Sequence, residues 1–140
     1  MNKSIIYLIV IYLVIGSCKL NQYKDELRQG RWVFKDSTTT GVFISKGRFK
    51  KGEEVATWKF YENKILYKTE KYKDNIIIVK IYYPDGKLKV KGFNKQERTA
   101  QGLHWYYTGT WKYYSIDGKL DSSKFFYKGE EVERIPSENQ

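Results

Sequence analysis

Trp111-Lys112-Tyr113-Tyr114-Ser115-Ile116-Asp117-Gly118-Lys119-Leu120 reads as the end of one strand, a tight turn and the start of the next. Trp, Tyr and Tyr around one lysine suit a pleated surface on which successive side chains take opposite faces. Asp-Gly then marks a hairpin, because both residues tolerate positive φ. The chain runs on from Leu120 to Phe126-Tyr127-Lys128-Gly129, a second strand ending in aromatics.

The same order recurs upstream. Val79-Lys80-Ile81-Tyr82 leads through Pro84-Asp85-Gly86 to Leu88 and on to Lys91-Gly92-Phe93. Trp58-Lys59-Phe60-Tyr61 leads through Glu62-Asn63-Lys64 to Leu66 and on to Lys71-Tyr72-Lys73. Each unit is an aromatic or apolar residue, Lys, a second aromatic or apolar residue, Tyr, a turn, Leu, then a strand carrying an aromatic. Gly30-Arg31-Trp32-Val33-Phe34 reads as a degenerate first copy. Such a hairpin cannot bury its aromatic face alone, whereas hairpins placed side by side build one twisted sheet with shared aromatic rows.

The expected fold is therefore all-β: a single antiparallel meander of β-hairpin repeats, roughly seven to ten strands, with Trp58 and Trp111 in equivalent packed positions. Pro84 sits in a turn and Pro136 in the tail, which leaves the strand interiors free to pair. The stretch 94–101, polar apart from Ala100, reads as a loop insertion.

Lys46-Gly47-Arg48-Phe49-Lys50-Lys51-Gly52 followed by Trp58-Lys59-Phe60-Tyr61 resembles the MORN-repeat-variant proteins, as does Trp111-Lys112-Tyr113-Tyr114 between Gly109 and Gly118. The resemblance covers residues 30–131 and implies MORN-like β-hairpin modules, many of them bacterial lipoproteins and some labelled antitoxin-like. The chain departs from the pattern at Ala56, where glycine is usual, at Val79 in place of Trp, and at Asn63-Lys64 in place of a turn glycine.

Composition narrows the chemistry. A chain of 140 residues makes one domain. One Cys excludes a disulfide framework and multi-Cys metal sites, and one His excludes designs that need two imidazoles. With 13 Tyr, 7 Phe and 4 Trp the chain is too aromatic to stay disordered. The balance of 26 Lys plus Arg against 16 Asp plus Glu gives +10.

The first residues carry an address. Lys3 precedes the apolar run Ile5–Ile15, too short to span a bilayer but suited to a signal peptide. Ile15-Gly16-Ser17-Cys18 resembles a bacterial lipobox, with cleavage between Ser17 and Cys18 and lipidation of Cys18. Cleavage removes Lys3 alone among the charged residues, taking the charge from +10 to +9. Two or three acyl chains make a lasting membrane anchor. Lys19 rather than Asp after the Cys favours the outer membrane, by resemblance to enteric-type sorting. The expected organisation is a signal peptide over 1–17, Cys18 with a polar tether over 18–29, the repeat domain over 30–131, and a polar tail over 132–140.

No catalytic residue, metal site or cofactor is expected. His104, in Leu103-His104-Trp105-Tyr106-Tyr107, lacks a Ser or Cys nucleophile nearby and reads as a strand residue. Glu53-Glu54 and Glu130-Glu131 are adjacent pairs that a strand points to opposite faces, so neither makes a glycosidase dyad. Lysines interleaved with aromatics remain, with Lys50, Lys51, Trp105 and Tyr107 as candidate ligand-binding residues. The expectation is a non-enzymatic envelope module that meets a protein or an anionic glycan, and not nucleic acid, through an aromatic and basic face. The alternatives are a glycan-acting enzyme using His104 and an immunity or antitoxin-like protein.

Overall fold

The computed structural model describes residues 19–136, so the signal segment, the Ser17–Cys18 cleavage position and the lipidation site at Cys18 lie outside the described residues. Ten strands follow in chain order: β1 (Gln22–Lys24), β2 (Leu27–Ser37), β3 (Val42–Lys50), β4 (Glu53–Glu62), β5 (Ile65–Lys73), β6 (Ile76–Tyr82), β7 (Leu88–Thr99), β8 (Gly102–Tyr114), β9 (Leu120–Tyr127) and β10 (Glu130–Pro136). Each strand pairs antiparallel with its sequence neighbours, so the sheet order equals the chain order. The fold is the all-β meander of hairpins that the repeats predict.

Turn chemistry explains the short connections. Asn63 and Lys64 both take positive φ, 48° and 71°, as a two-residue hairpin turn requires. The Asp-Gly turns depart from expectation, because only Gly86 and Gly118 enter the left-handed region. Asp85 instead accepts a hydrogen bond through Oδ1 from the Lys87 backbone N–H at 3.0 Å.

The sheet also reaches beyond the expected domain limits. The stretch read as a tether contributes β1 and the start of β2. Asn21 ties it down, Oδ1 accepting from the Val33 N–H at 2.8 Å and Nδ2 donating to the Val33 carbonyl at 3.0 Å. Tyr23 packs edge-on against Trp32, centroids 5.1 Å apart. At the other end β10 carries the sheet to Pro136. The stretch read as a loop insertion is strand instead: β7 continues to Thr99, paired with β8 from Thr99↔Gly102 inward. Its polar residues are tolerated because a single-layer sheet leaves both faces partly accessible there, while β8 satisfies the backbone.

One face of the sheet holds the core. Trp32, Phe49 and Trp58 form one buried cluster, and Ile77, Val79, Val90, Trp111 and Phe126 form another. Tyr72, in β5, packs against both. Two tryptophans are seated on glycines of the preceding strand. A Cβ on Gly47 would stand 2.2 Å from Trp58 Cδ2, and one on Gly92 would stand 2.0 Å from Trp111 Cδ2. Both glycines lie at register shifts, between Lys46 and Arg48 in β3 and between Lys91 and Phe93 in β7. On the facing strands Ala56 (φ 61°) and Gly109 (φ 63°) make the matching bend, each two residues before its tryptophan.

Candidate functional site

Pairing registers bring the repeat lysines into a line. Residues opposite one another on antiparallel strands share a face. Lys46 pairs with Lys59, Lys59 with Thr69, Thr69 with Lys80, Lys80 with Lys91 and Lys91 with Lys112. Five lysines and one threonine thus form one transverse row across β3 to β8. Neighbouring strands lie about 4.8 Å apart, so the row spans about 24 Å. Lys46, Lys59 and Lys112 are exposed, and Lys80 and Lys91 are half-buried. Ion pairs elsewhere in the sheet join Lys68 to Glu70, Lys95 to Glu97 and Lys124 to Glu131.

Tyrosines flank the row. Tyr61, Tyr82 and Tyr114 follow Lys59, Lys80 and Lys112 by two residues, which places them on the same face about 6.6 Å along each strand. All three are half-buried. Lys46 Nζ lies 4.5 Å from the Tyr61 ring centroid, and the Tyr82 hydroxyl lies 3.2 Å from Thr69 Oγ1. In each unit the first and third residues therefore turn to the core, while the Lys and Tyr turn outward.

The core face is concave. Arg28, Glu54, Tyr72, Gln96, Arg98 and Leu103 line a cleft of about 660 Å³ on it. Arg98 Nη2 of β7 reaches Glu53 Oε1 of β4 at 3.0 Å, with β5 and β6 between them in the sheet. The Tyr72 hydroxyl donates to Glu54 Oε2 at 2.6 Å. Burial, then the Glu54 carboxylate, pushes the Tyr72 phenol far above its ordinary range, so it stays a donor. Arg28 lies over the Trp32, Phe34 and Phe49 rings, its Cζ 5.3 to 5.4 Å from their centroids. Arg28, Glu53, Glu54 and Arg98 are thus engaged with one another and with the core.

The four candidate ligand-binding residues are not brought together. Lys50 ends β3 on the convex face, opposite Glu53, and Lys51 lies in the turn, its N–H donating to Gln29 Oε1 at 2.8 Å. Trp105 and Tyr107 lie on the concave face of β8, opposite Gln96 and Asn94. Tyr107 packs on Trp111 at 4.3 Å and on Phe126 at 5.4 Å, so it belongs partly to the core. Trp105 remains 58% exposed.

His104 is exposed on the convex face, 5.8 Å from the Tyr106 ring, with the cleft on the other side of the sheet. Its cross-strand partner Glu97 is already engaged, the Tyr106 hydroxyl and then Lys95 holding that carboxyl below its usual range. Glu54 bonds Tyr72, and Glu131 Oε2 accepts from Lys124 Nζ at 2.6 Å, so the adjacent Glu pairs serve separate partners. Among the described residues no three His, Cys, Asp or Glu side chains converge as metal ligands.

The lysine row was legible in part: Lys59, Lys80 and Lys112 are the shared Lys of the three units. Lys46 and Lys91 precede the seat glycines, and only the register reveals that they complete the line. Searches of protein-family models, curated proteins and solved structures find no match to this chain.

Proposed function

We propose that the chain is a non-enzymatic, MORN-like repeat module of the cell envelope, anchored to the outer membrane through Cys18, that holds an anionic glycan or acidic partner against its convex face. The observation that carries this reading is the like-charged register. Three of the five successive pairs in the row, Lys46–Lys59, Lys80–Lys91 and Lys91–Lys112, place lysine opposite lysine. Like charges directly opposite destabilise a sheet. A face charged only for solubility is served better by mixed signs, so the arrangement supports attraction of a polyanion.

The anchor fits the same picture. Only Lys19, Leu20 and Asn21 separate Cys18 from β1. Four extended residues reach at most about 14 Å, which keeps the sheet beside the lipid surface.

The test uses protein purified from membranes in detergent and applied to an immobilised acidic polysaccharide. Retention at low salt and release as screening rises is the expected result. Cys18→Ser should leave the protein as precursor or free of the membrane. Failure to retain wild-type protein at low salt overturns the reading, as does glycan hydrolysis abolished by His104→Ala.

A further inference from the structure

The row has a direction, and the direction points to the shape of the ligand. Lys46, Lys59, Lys80, Lys91 and Lys112 lie along one line perpendicular to the strands, and Arg48, Lys71, Lys73 and Lys95 share the face beside that line. Tyr61, Tyr82 and Tyr114 run beside that line on the same face. The acidic side chains sharing the face are set off the line. Glu97 is paired with Lys95, and the Glu53 carboxylate reaches Arg98 in the cleft. Asp121 lies in β9, two residues from Ser123, which ends the row opposite Lys112.

We infer that a linear acidic polysaccharide lies across β3 to β8 along this row, its anionic groups on the lysines and its sugar rings against the tyrosines. This rests on the reading of the chain as a polyanion-binding module and adds the site, the orientation and the ligand class. Charge complementarity selects a polyanion. Only the central lysines of a convex surface can meet a flat bilayer together, whereas a flexible chain can follow the curvature. The half-buried phenol rings provide apolar platforms for the C–H faces of sugars, a contact that a polyglutamate chain lacks. Thr69 supplies a hydroxyl at the one position of the row without a charge.

The test measures binding of oligogalacturonides of increasing length to the full chain in detergent, with polyglutamate and phosphatidylglycerol vesicles as comparison probes. Affinity should rise with length until the oligomer spans the row, about 24 Å, and then level off. The triple variant Lys59→Gln, Lys80→Gln, Lys91→Gln should lose on the order of tenfold or more in affinity, and its log–log salt dependence should flatten by about one unit per lysine. A control triple with the same charge change off the row, Lys24→Gln, Lys64→Gln, Lys128→Gln, should lose far less. Tyr82→Leu should weaken oligogalacturonide binding by about three- to tenfold with the salt slope unchanged, and leave polyglutamate binding as it was.

Equal losses in the two lysine triples overturn the row while leaving a polyanion-binding module in place. Preference for polyglutamate, or binding to vesicles without binding to oligomers, overturns the glycan assignment. Absence of binding to any of the three probes overturns the module reading as well. Matching circular dichroism spectra and melting temperatures across the variants show that losses are not due to unfolding.

Discussion

Trp58 in β4 and Trp111 in β8 occupy matching seats, each over a glycine of the preceding strand and each two residues past a positive-φ bend. The seats differ in finish. Trp111 Nε1 donates to the Phe93 carbonyl at 3.1 Å, one residue past its glycine. Trp58 Nε1 is buried with no partner, although Trp58 is only 2% exposed. The bend before Trp111 is Gly109, whereas the bend before Trp58 is Ala56. Around Trp58 the neighbours are the rings of Phe34 and Phe49, while the Trp111 cluster adds Ile77, Val79 and Val90. What both seats keep is the glycine under the indole. Close approach of ring to backbone is therefore the element the fold requires, and the hydrogen bond and the bend glycine are refinements.

The strongest way to break the comparison is to remove that contact. Trp111→Ala should cost about 3–5 kcal/mol, the range for a large buried aromatic. Gly92→Ala should cost about 1–3 kcal/mol or more, because its methyl would enter the indole. In the Trp111→Ala background the same Gly92→Ala change should cost little, since the clashing ring is gone. Urea unfolding of the four-member cycle measures the coupling, and Gly47 with Trp58 should repeat it. Additive costs in either cycle would mean that the glycine is there for some reason other than the indole.

The next difference is the indole N–H. Trp111→Phe loses a made hydrogen bond and leaves the Phe93 carbonyl to find another partner. Trp58→Phe removes a buried donor that already lacks one, which relieves a cost of about 1–3 kcal/mol. Trp58→Phe should therefore be the milder substitution by about that margin, read from the two melting curves. Equal destabilisation would indicate that Trp58 Nε1 is satisfied in solution, by water for example.

The sheet itself was legible because the repeat unit encodes both faces. In Trp58-Lys59-Phe60-Tyr61 and Trp111-Lys112-Tyr113-Tyr114, alternation alone assigns the tryptophan and the third residue to the core. The polar strand end at Asn94–Thr99 was not legible, because neither face there is apolar and pairing with β8 holds it. Nor was the pairing of the Asn21 amide with Val33, which turns an apparent tether into sheet. Candidate site residues fared worse. Lys50 and Lys51 cluster along the chain, but function on a sheet depends on neighbours across strands. Two residues of β3 span four of β4 at the Gly47 bend, and no sequence pattern announces how such a shift aligns Lys46 with Lys59.

The bends give a smaller effect of opposite sign at the two seats. Left-handed backbone costs a residue with a Cβ about 1–2 kcal/mol, partly offset by the extra freedom glycine brings to the unfolded chain. Ala56→Gly should therefore stabilise the protein by about 0.5–1 kcal/mol, and Gly109→Ala should destabilise it by a similar amount. Thermal unfolding of the two single variants suffices. If Ala56→Gly lowers the melting temperature, the Ala56 methyl makes contacts that outweigh its strain.

The smallest expected effect lies on the convex side of the same seats, at the lysines just before the two glycines. Lys91 faces Lys80 on one side and Lys112 on the other, whereas Lys46 faces Val33 and Lys59. Each direct like-charge pair costs a few tenths of a kcal/mol, up to about 1. Lys91→Gln relieves two of them and should stabilise the fold at low salt. Lys46→Gln relieves one but gives up the approach to the Tyr61 ring at 4.5 Å, a contact worth about 0.5–1 kcal/mol at an exposed site, so it should be neutral or mildly destabilising. Raising salt shortens the reach of the repulsion to a few ångströms at about 1 M, and the gain from Lys91→Gln should shrink accordingly. A gain that persists at high salt would trace to packing of the glutamine stem, and the row would then carry no electrostatic cost for a polyanion to relieve.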